Sequence, residues 1–187
     1  MSAGHELAES SRELGTLEYF RACNNFLESV RADLHRPHPF AAERVGFLLC
    51  RAARLDDDGL LILGAAYHAV EDDDYLRDDS VGAMMGPSAI RKAMQRAYNL
   101  GVQDIGLFHV HMHGHHGLPG FSKIDLTEYL KFVPDFFNAV PSMPQGAIVL
   151  SLDQAIGLCW PARGGEPFLI DRFASIGAPL RCWKGKP

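Results

Sequence analysis

The stretch Ile105–Asp125, IGLFHVHMHGHHGLPGFSKID, decides how the chain is read. It holds five of the nine histidines within eight residues: His109, His111, His113, His115 and His116. Its apolar lead-in, Ile105–Phe108, predicts a buried strand. Side chains alternate faces along a strand, so His109, His111 and His113 point the same way, at or just past its end. A Pro-Gly loop follows, and then Ser122 and Asp125 stand three residues apart. Two imidazoles, one carboxylate and an open position are the donor set of a catalytic zinc. The competing reading is a solvated histidine-rich loop.

The rest of the chain narrows the class. At 187 residues it is long enough to bury one sizeable core, and 47% hydrophobic with 22% charged residues is ordinary for a globular domain. The net charge of −5 argues against nucleic acid as a partner, because phosphate binding needs a basic face. Cys23, Cys50, Cys159 and Cys182 are far apart, form no C-x-x-C pair and suggest neither structural zinc nor a disulfide framework. The N-terminus has no apolar core of signal-peptide length, and no run approaches the ~18 apolar residues of a membrane span. The expectation is a cytoplasmic protein that is not membrane-bound.

Residues 1–15 read as a flexible polar tail, and 16–187 as one domain. Thr16 or a neighbour caps a first helix, in which Phe20, Cys23, Phe26, Leu27, Val30 and Leu34 form an apolar face ended by Pro37. Val45–Cys50 is a short apolar run of central-strand type. Glu43 stands just before it, and Gly46 permits close approach of another backbone. Asp56-Asp57-Asp58-Gly59 is a turn, and Leu60–Tyr67 the paired strand. Glu71–Asp74 with Asp78 and Asp79 lacks calcium-loop spacing; it is a solvated loop or an acidic rim for a basic partner segment, through Asp72, Asp73 and Asp74. Ser88 caps a helix with Ile90, Met94, Ala97 and Tyr98 on one face and Gly101 as its stop. A helix to Pro134, a hairpin over Ala147–Trp160 and a last strand, Phe168–Ile176, complete an α/β sheet flanked by helices.

Other zinc patterns fail. H-E-x-x-H is absent, and His113 stands where the metallo-β-lactamase pattern needs an aspartate. The ordered set Glu43-Arg44-Val45-Gly46, then Gly106-Leu107-Phe108-His109-Val110-His111, then Ser122-Lys123-Ile124-Asp125 resembles the JAMM metalloproteases of the MPN-domain fold. These are zinc-dependent isopeptidases of deubiquitinase type. The resemblance spans about residues 16–180 and implies a single MPN-type domain, a cytidine-deaminase-like layered mixed β-sheet flanked by helices. The chain departs from the family pattern in having Met112 where a proline usually follows the second histidine. Its spacing is also longer, with thirteen residues between His111 and Asp125, or eleven if His113 is the second ligand. The lead-in residues favour His109 with His111, and His113 is the alternate ligand.

By resemblance, His109, His111 and Asp125 hold one zinc ion, Glu43 is the general base and Ser122 supports the oxyanion. The implied bond is the amide after the C-terminal glycine of a ubiquitin-like protein, in precursor processing or deconjugation. The family docks such tails as an added strand on a sheet edge. The short loops and lone domain point to a bacterial branch, in a ubiquitin-like conjugation pathway of possible anti-phage role. The alternatives are a metallohydrolase acting on small peptide-like or sulfur-carrier conjugates, and a non-catalytic MPN scaffold.

Overall fold

The computed structural model describes residues 18–39, 41–55, 59–78, 82–100 and 105–186. The expected tail, the Thr16 cap, the Asp56–Asp58 turn, Asp79 and the Gly101 stop lie outside these residues. The chain opens with β1 (Glu18–Cys23), which passes directly into α1 (Asn24–Leu34). A hairpin of β2 (Val45–Arg54) and β3 (Leu60–Ala69) follows. After a 3-10 turn at Asp72–Asp74 come the small strands β4 (Tyr75–Leu76) and β5 (Met84–Met85), and then α2 (Pro87–Leu100). The second half runs β6 (Gly106–Met112), α3 (Lys123–Phe136), β7 (Gln145–Leu150), β8 (Ala155–Trp160), β9 (Phe168–Leu169), β10 (Arg172–Ile176) and β11 (Arg181–Lys184).

Nine of the strands form one mixed sheet in the order β11-β10-β1-β3-β2-β6-β7-β8-β9, with β4 and β5 paired separately. β9 and β10 are joined only by Ile170 and Asp171, yet they sit toward opposite ends of that order. The Ile170 amide donates to Gly157 on β8 at 2.9 Å, and the Asp171 amide donates to Glu18 on β1 at 3.0 Å. Two successive residues thus bond to distant strands, which requires the sheet to curl. Inside the curl, Phe20, Leu48, Ile62, Phe108, Ile148 and Phe173 pack into one core with Leu27, Val30 and Leu34 of α1. The outer face is covered by α2 and α3, whose Ala89, Ala93, Tyr129, Val133 and Phe136 pack on Val45, Phe47, Leu49 and Leu107.

The α/β class and the central place of β2 agree with the sequence, and several elements differ from it. Glu18–Cys23 is strand rather than the start of a helix, so Phe20 belongs to β1. The buried face of α2 is Ala89, Ala93 and Ala97, while Tyr98 is 56% exposed. Three small residues let the helix lie close to the sheet, and Tyr98 is too large for that interface. The helix starts at Pro87, so Ser88 lies inside its first turn. Phe168–Ile176 is two strands, β9 and β10, and β11 adds an edge the sequence did not suggest. What crowds Gly46 is a side chain rather than another backbone: a Cβ there would run into the ring of Tyr67, whose hydroxyl donates to Asp33 of α1 at 2.8 Å. No helix among the described residues is long and apolar enough to cross a membrane.

Candidate active site

Every residue of β6 is buried, and the alternation sorts them by face. Phe108, Val110 and Met112 enter the inner core, while Leu107 joins the outer one. His109 and His111 share the outer face with Leu107. The His113 amide donates to Leu150 at 2.9 Å, which carries the extended geometry one residue beyond β6. β2 pairs antiparallel with β6, with Phe47 opposite His109 and Val45 opposite His111. The same register continued by two residues sets Glu43 across from His113.

Asp125 reaches this end of β6 from the first turn of α3. Ser122 is the N-cap: its Oγ accepts from the Asp125 amide at 3.0 Å, and the Asp125 carboxylate accepts from the Ser122 amide at 2.7 Å. The Ser-x-x-Asp spacing is therefore a capping box as well as a candidate catalytic motif. It satisfies two amides of the helix start and fixes the carboxylate in place.

These segments meet in a cavity of about 480 Å³. Glu43, His111, His113, Ser122 and Asp125 line its polar side. Met84, Met85, Ile90, Ile124 and Phe132 form apolar walls. His111 Nε2 lies 3.3 Å from His113 Nε2 and 4.0 Å from an Asp125 oxygen. Two nitrogens bound tetrahedrally at about 2.0–2.1 Å from one zinc stand about 3.3 Å apart. The two imidazoles already have that separation, and the carboxylate is a fraction of an ångström too far. As placed, no three His, Cys, Asp or Glu side chains among the described residues form a closed metal cluster. The donor set fits zinc in chemistry and in its histidine spacing, while Asp125, 4.0 Å from His111 Nε2, stands outside ligand spacing as placed.

The flanking groups suit the same role. The Tyr129 hydroxyl lies 3.1 Å from His111 Nδ1, which directs Nε2 at His113 and Asp125. Tyr129 follows Asp125 by one helical turn, so both face the same side; sequence reading missed it, although the i, i+4 spacing was available. Burial lowers the His111 pKa to about 4 against the opposing charge of Asp125, with His113 adding to the fall. Imidazole is thereby kept neutral, the form that binds metal. Burial also raises the pKa of the half-buried Glu43; His113 opposes this and Asp125 reinforces it. Its amide donates to Gly82 at 2.9 Å, and its carboxylate lies so close to Gly82 that a Cβ there would stand 3.0 Å from Oε2.

Not every candidate converges equally. His109 is 5% exposed, at the cavity floor against Phe47, Tyr129 and Phe132, and neither of its ring nitrogens has a hydrogen-bond partner. His115 and His116 are exposed on the loop beyond. Asp72, Asp73 and Asp74 lie off the cavity lining. Asp72 accepts from Arg44 at 2.7 Å, Asp74 is buried and accepts from Lys92 at 2.6 Å, and Asp73 is exposed. Two of the three carboxylates thus serve to anchor the turn.

No family model and no curated protein matches the chain. Among solved structures, the N-terminal domain of STIL from Trichoplax adhaerens is similar at 11% identity and a TM-score of 0.34. That match covers 73% of this chain and 38% of the other, so the chain spans little more than a third of its neighbour's length. It is too distant to place the fold.

Proposed function

We propose that this chain is a JAMM-type zinc metalloprotease with MPN-type layering, which hydrolyses the amide after the C-terminal glycine of a ubiquitin-like protein. The observation that carries the reading is convergence: Glu43, His111, His113, Ser122 and Asp125 come from separate segments and line one cavity. His111, His113 and Asp125 would hold the ion, with Tyr129 orienting His111. Zinc bound there would supply Lewis-acid activation of water and of the scissile carbonyl. Glu43, in its partly apolar cleft, takes a proton from the attacking water and returns it to the leaving amine. Ser122 Oγ accepts from the Asp125 amide through a lone pair, which leaves its O–H to donate to the developing oxyanion.

A second ligand pair, His109 with His111, has one observation in its favour: the unpartnered buried nitrogens of His109 would gain a partner in a metal ion. Its deeper position, with the His109 and His111 rings 6.0 Å apart, makes it the less direct arrangement.

The test is cleavage of fusions that join a ubiquitin-like protein through its terminal glycine to a reporter, by wild type and by Glu43→Gln. Wild type should cleave after the glycine. Glu43→Gln should retain zinc and lose turnover by at least the ~10²-fold scale of general-base catalysis. An active Glu43→Gln enzyme removes Glu43 from the mechanism. Zinc-loaded wild type inactive on every such fusion removes the substrate assignment.

A further inference from the structure

The metal set leaves His115 without a role, yet its placement is ordered. Four histidines stand in file from the core outward. Their ring centroids are separated by 6.0 Å from His109 to His111, 5.2 Å from His111 to His113, and 5.7 Å from His113 to His115. Burial falls along the same line: His109 and His111 are buried, His113 is half-buried and His115 is exposed. The loop that carries His115 is pinned to the β7–β8 turn. The Leu152 amide donates to the His115 carbonyl at 3.0 Å, and the Gly117 amide donates to Asp153 at 2.8 Å. His115 Nδ1 lies 2.9 Å from the His116 carbonyl. A carbonyl only accepts, so Nδ1 is the donor in that contact, and Nε2 is the nitrogen left open to a ligand.

We propose that His115 and His113 form a surface loading site that passes a divalent transition-metal ion inward to His111 and Asp125. The proposal rests on the zinc reading and goes beyond it by assigning a route. A hydrated ion reaching a 3%-exposed ligand must shed waters on the way. Imidazoles standing in file replace those waters one at a time, and nitrogen ligands suit zinc, copper and nickel over magnesium or calcium. The transfer is ligand exchange only. The ion held by His115 and His113 gains a bond to His111 Nε2 as the bond to His115 Nε2 breaks, with no electron transferred. His113 serves both positions.

The experiment uses chelator-stripped full-length protein and follows zinc uptake by rapid mixing with a zinc-sensitive dye, for wild type, His115→Ala and His116→Ala. Truncation at His115 keeps the backbone carbonyl that Leu152 uses, and circular dichroism verifies the fold. His115→Ala should load and release zinc several-fold more slowly, by the same factor in both directions, with equilibrium affinity unchanged. His116→Ala, an equally exposed neighbour, should load at the wild-type rate. Wild-type rates in His115→Ala, equal slowing in His116→Ala, or a fall in equilibrium affinity of His115→Ala would each overturn the route. Wild type that takes up no zinc at equilibrium overturns the metal site itself, a result separable from the others.

Discussion

Tyr129→Phe isolates the orientation of His111. The ring of Tyr129 packs against His109, Phe121 and Phe132 at centroid distances of 5.5, 5.9 and 5.6 Å, and phenylalanine keeps all three contacts. Only the hydroxyl is lost, 3.1 Å from His111 Nδ1. His111 is 3% exposed, so the lost partner leaves a buried nitrogen to be satisfied. An unsatisfied buried nitrogen costs about 1–3 kcal/mol. At about 2–4 °C per kcal/mol for a domain of this size, the melting point of metal-free protein should fall by at least a few degrees. A metal held by His111 Nε2 would leave the hydrogen on Nδ1, and the Tyr129 oxygen would then accept it. Loss of an orienting partner lowers metal affinity by about 10–100-fold. Competition against a chelating dye measures the affinity, and calorimetry of stripped protein measures the melting point. Lower stability with unchanged zinc affinity would refute the orienting role and leave Tyr129 as packing alone.

Two further perturbations test the electrostatics. Burial holds His111 at about 4 and His109 well below its ordinary value, so in metal-free native protein both are neutral where the unfolded chain, near 6.5, is protonated. The unfolded state then binds more protons, and stability should fall as pH drops from about 6.5 toward 4, with Glu43 opposing in part. Urea midpoints across that range measure it, and a flat profile contradicts the burial of neutral imidazoles. Asp72→Asn should lower stability only slightly: it weakens the charged partner of the 4%-exposed Arg44, but the exposure of Asp72 screens the pair. The substrate KM should stay unchanged; a raised KM would restore Asp72 to a substrate-binding rim.

The grouping of the candidate residues was more legible than the fold around them. The shared face of the H-x-H histidines follows from alternation, and Gly46 announced a crowded position, although the crowding group is the Tyr67 ring. The Ser122–Asp125 pair was read for chemistry alone, whereas the same spacing caps α3 and starts it at Lys123. β1 was hidden because it joins α1 with no intervening loop; Phe20 and Cys23 extend the helical spacing of Leu27, Val30 and Leu34 by coincidence. The split of Phe168–Ile176 depends on sheet closure. Ile170 and Asp171 part toward β8 and β1 only because the sheet curls, and local periodicity does not encode that. The difference between His109 and His113 is likewise tertiary: both lie on one face of the strand, with His109 buried and His113 half-buried.

Zinc content of the purified protein, measured beside His113→Ala, His109→Ala and Asp125→Ala, tests the central claim most directly. The account predicts about one zinc per chain in wild type and in His109→Ala, with loss in His113→Ala and Asp125→Ala. Loss in His109→Ala with retention in His113→Ala would move the ion to the deeper pair. Absence of zinc from wild type after reconstitution would contradict the metalloprotease reading altogether.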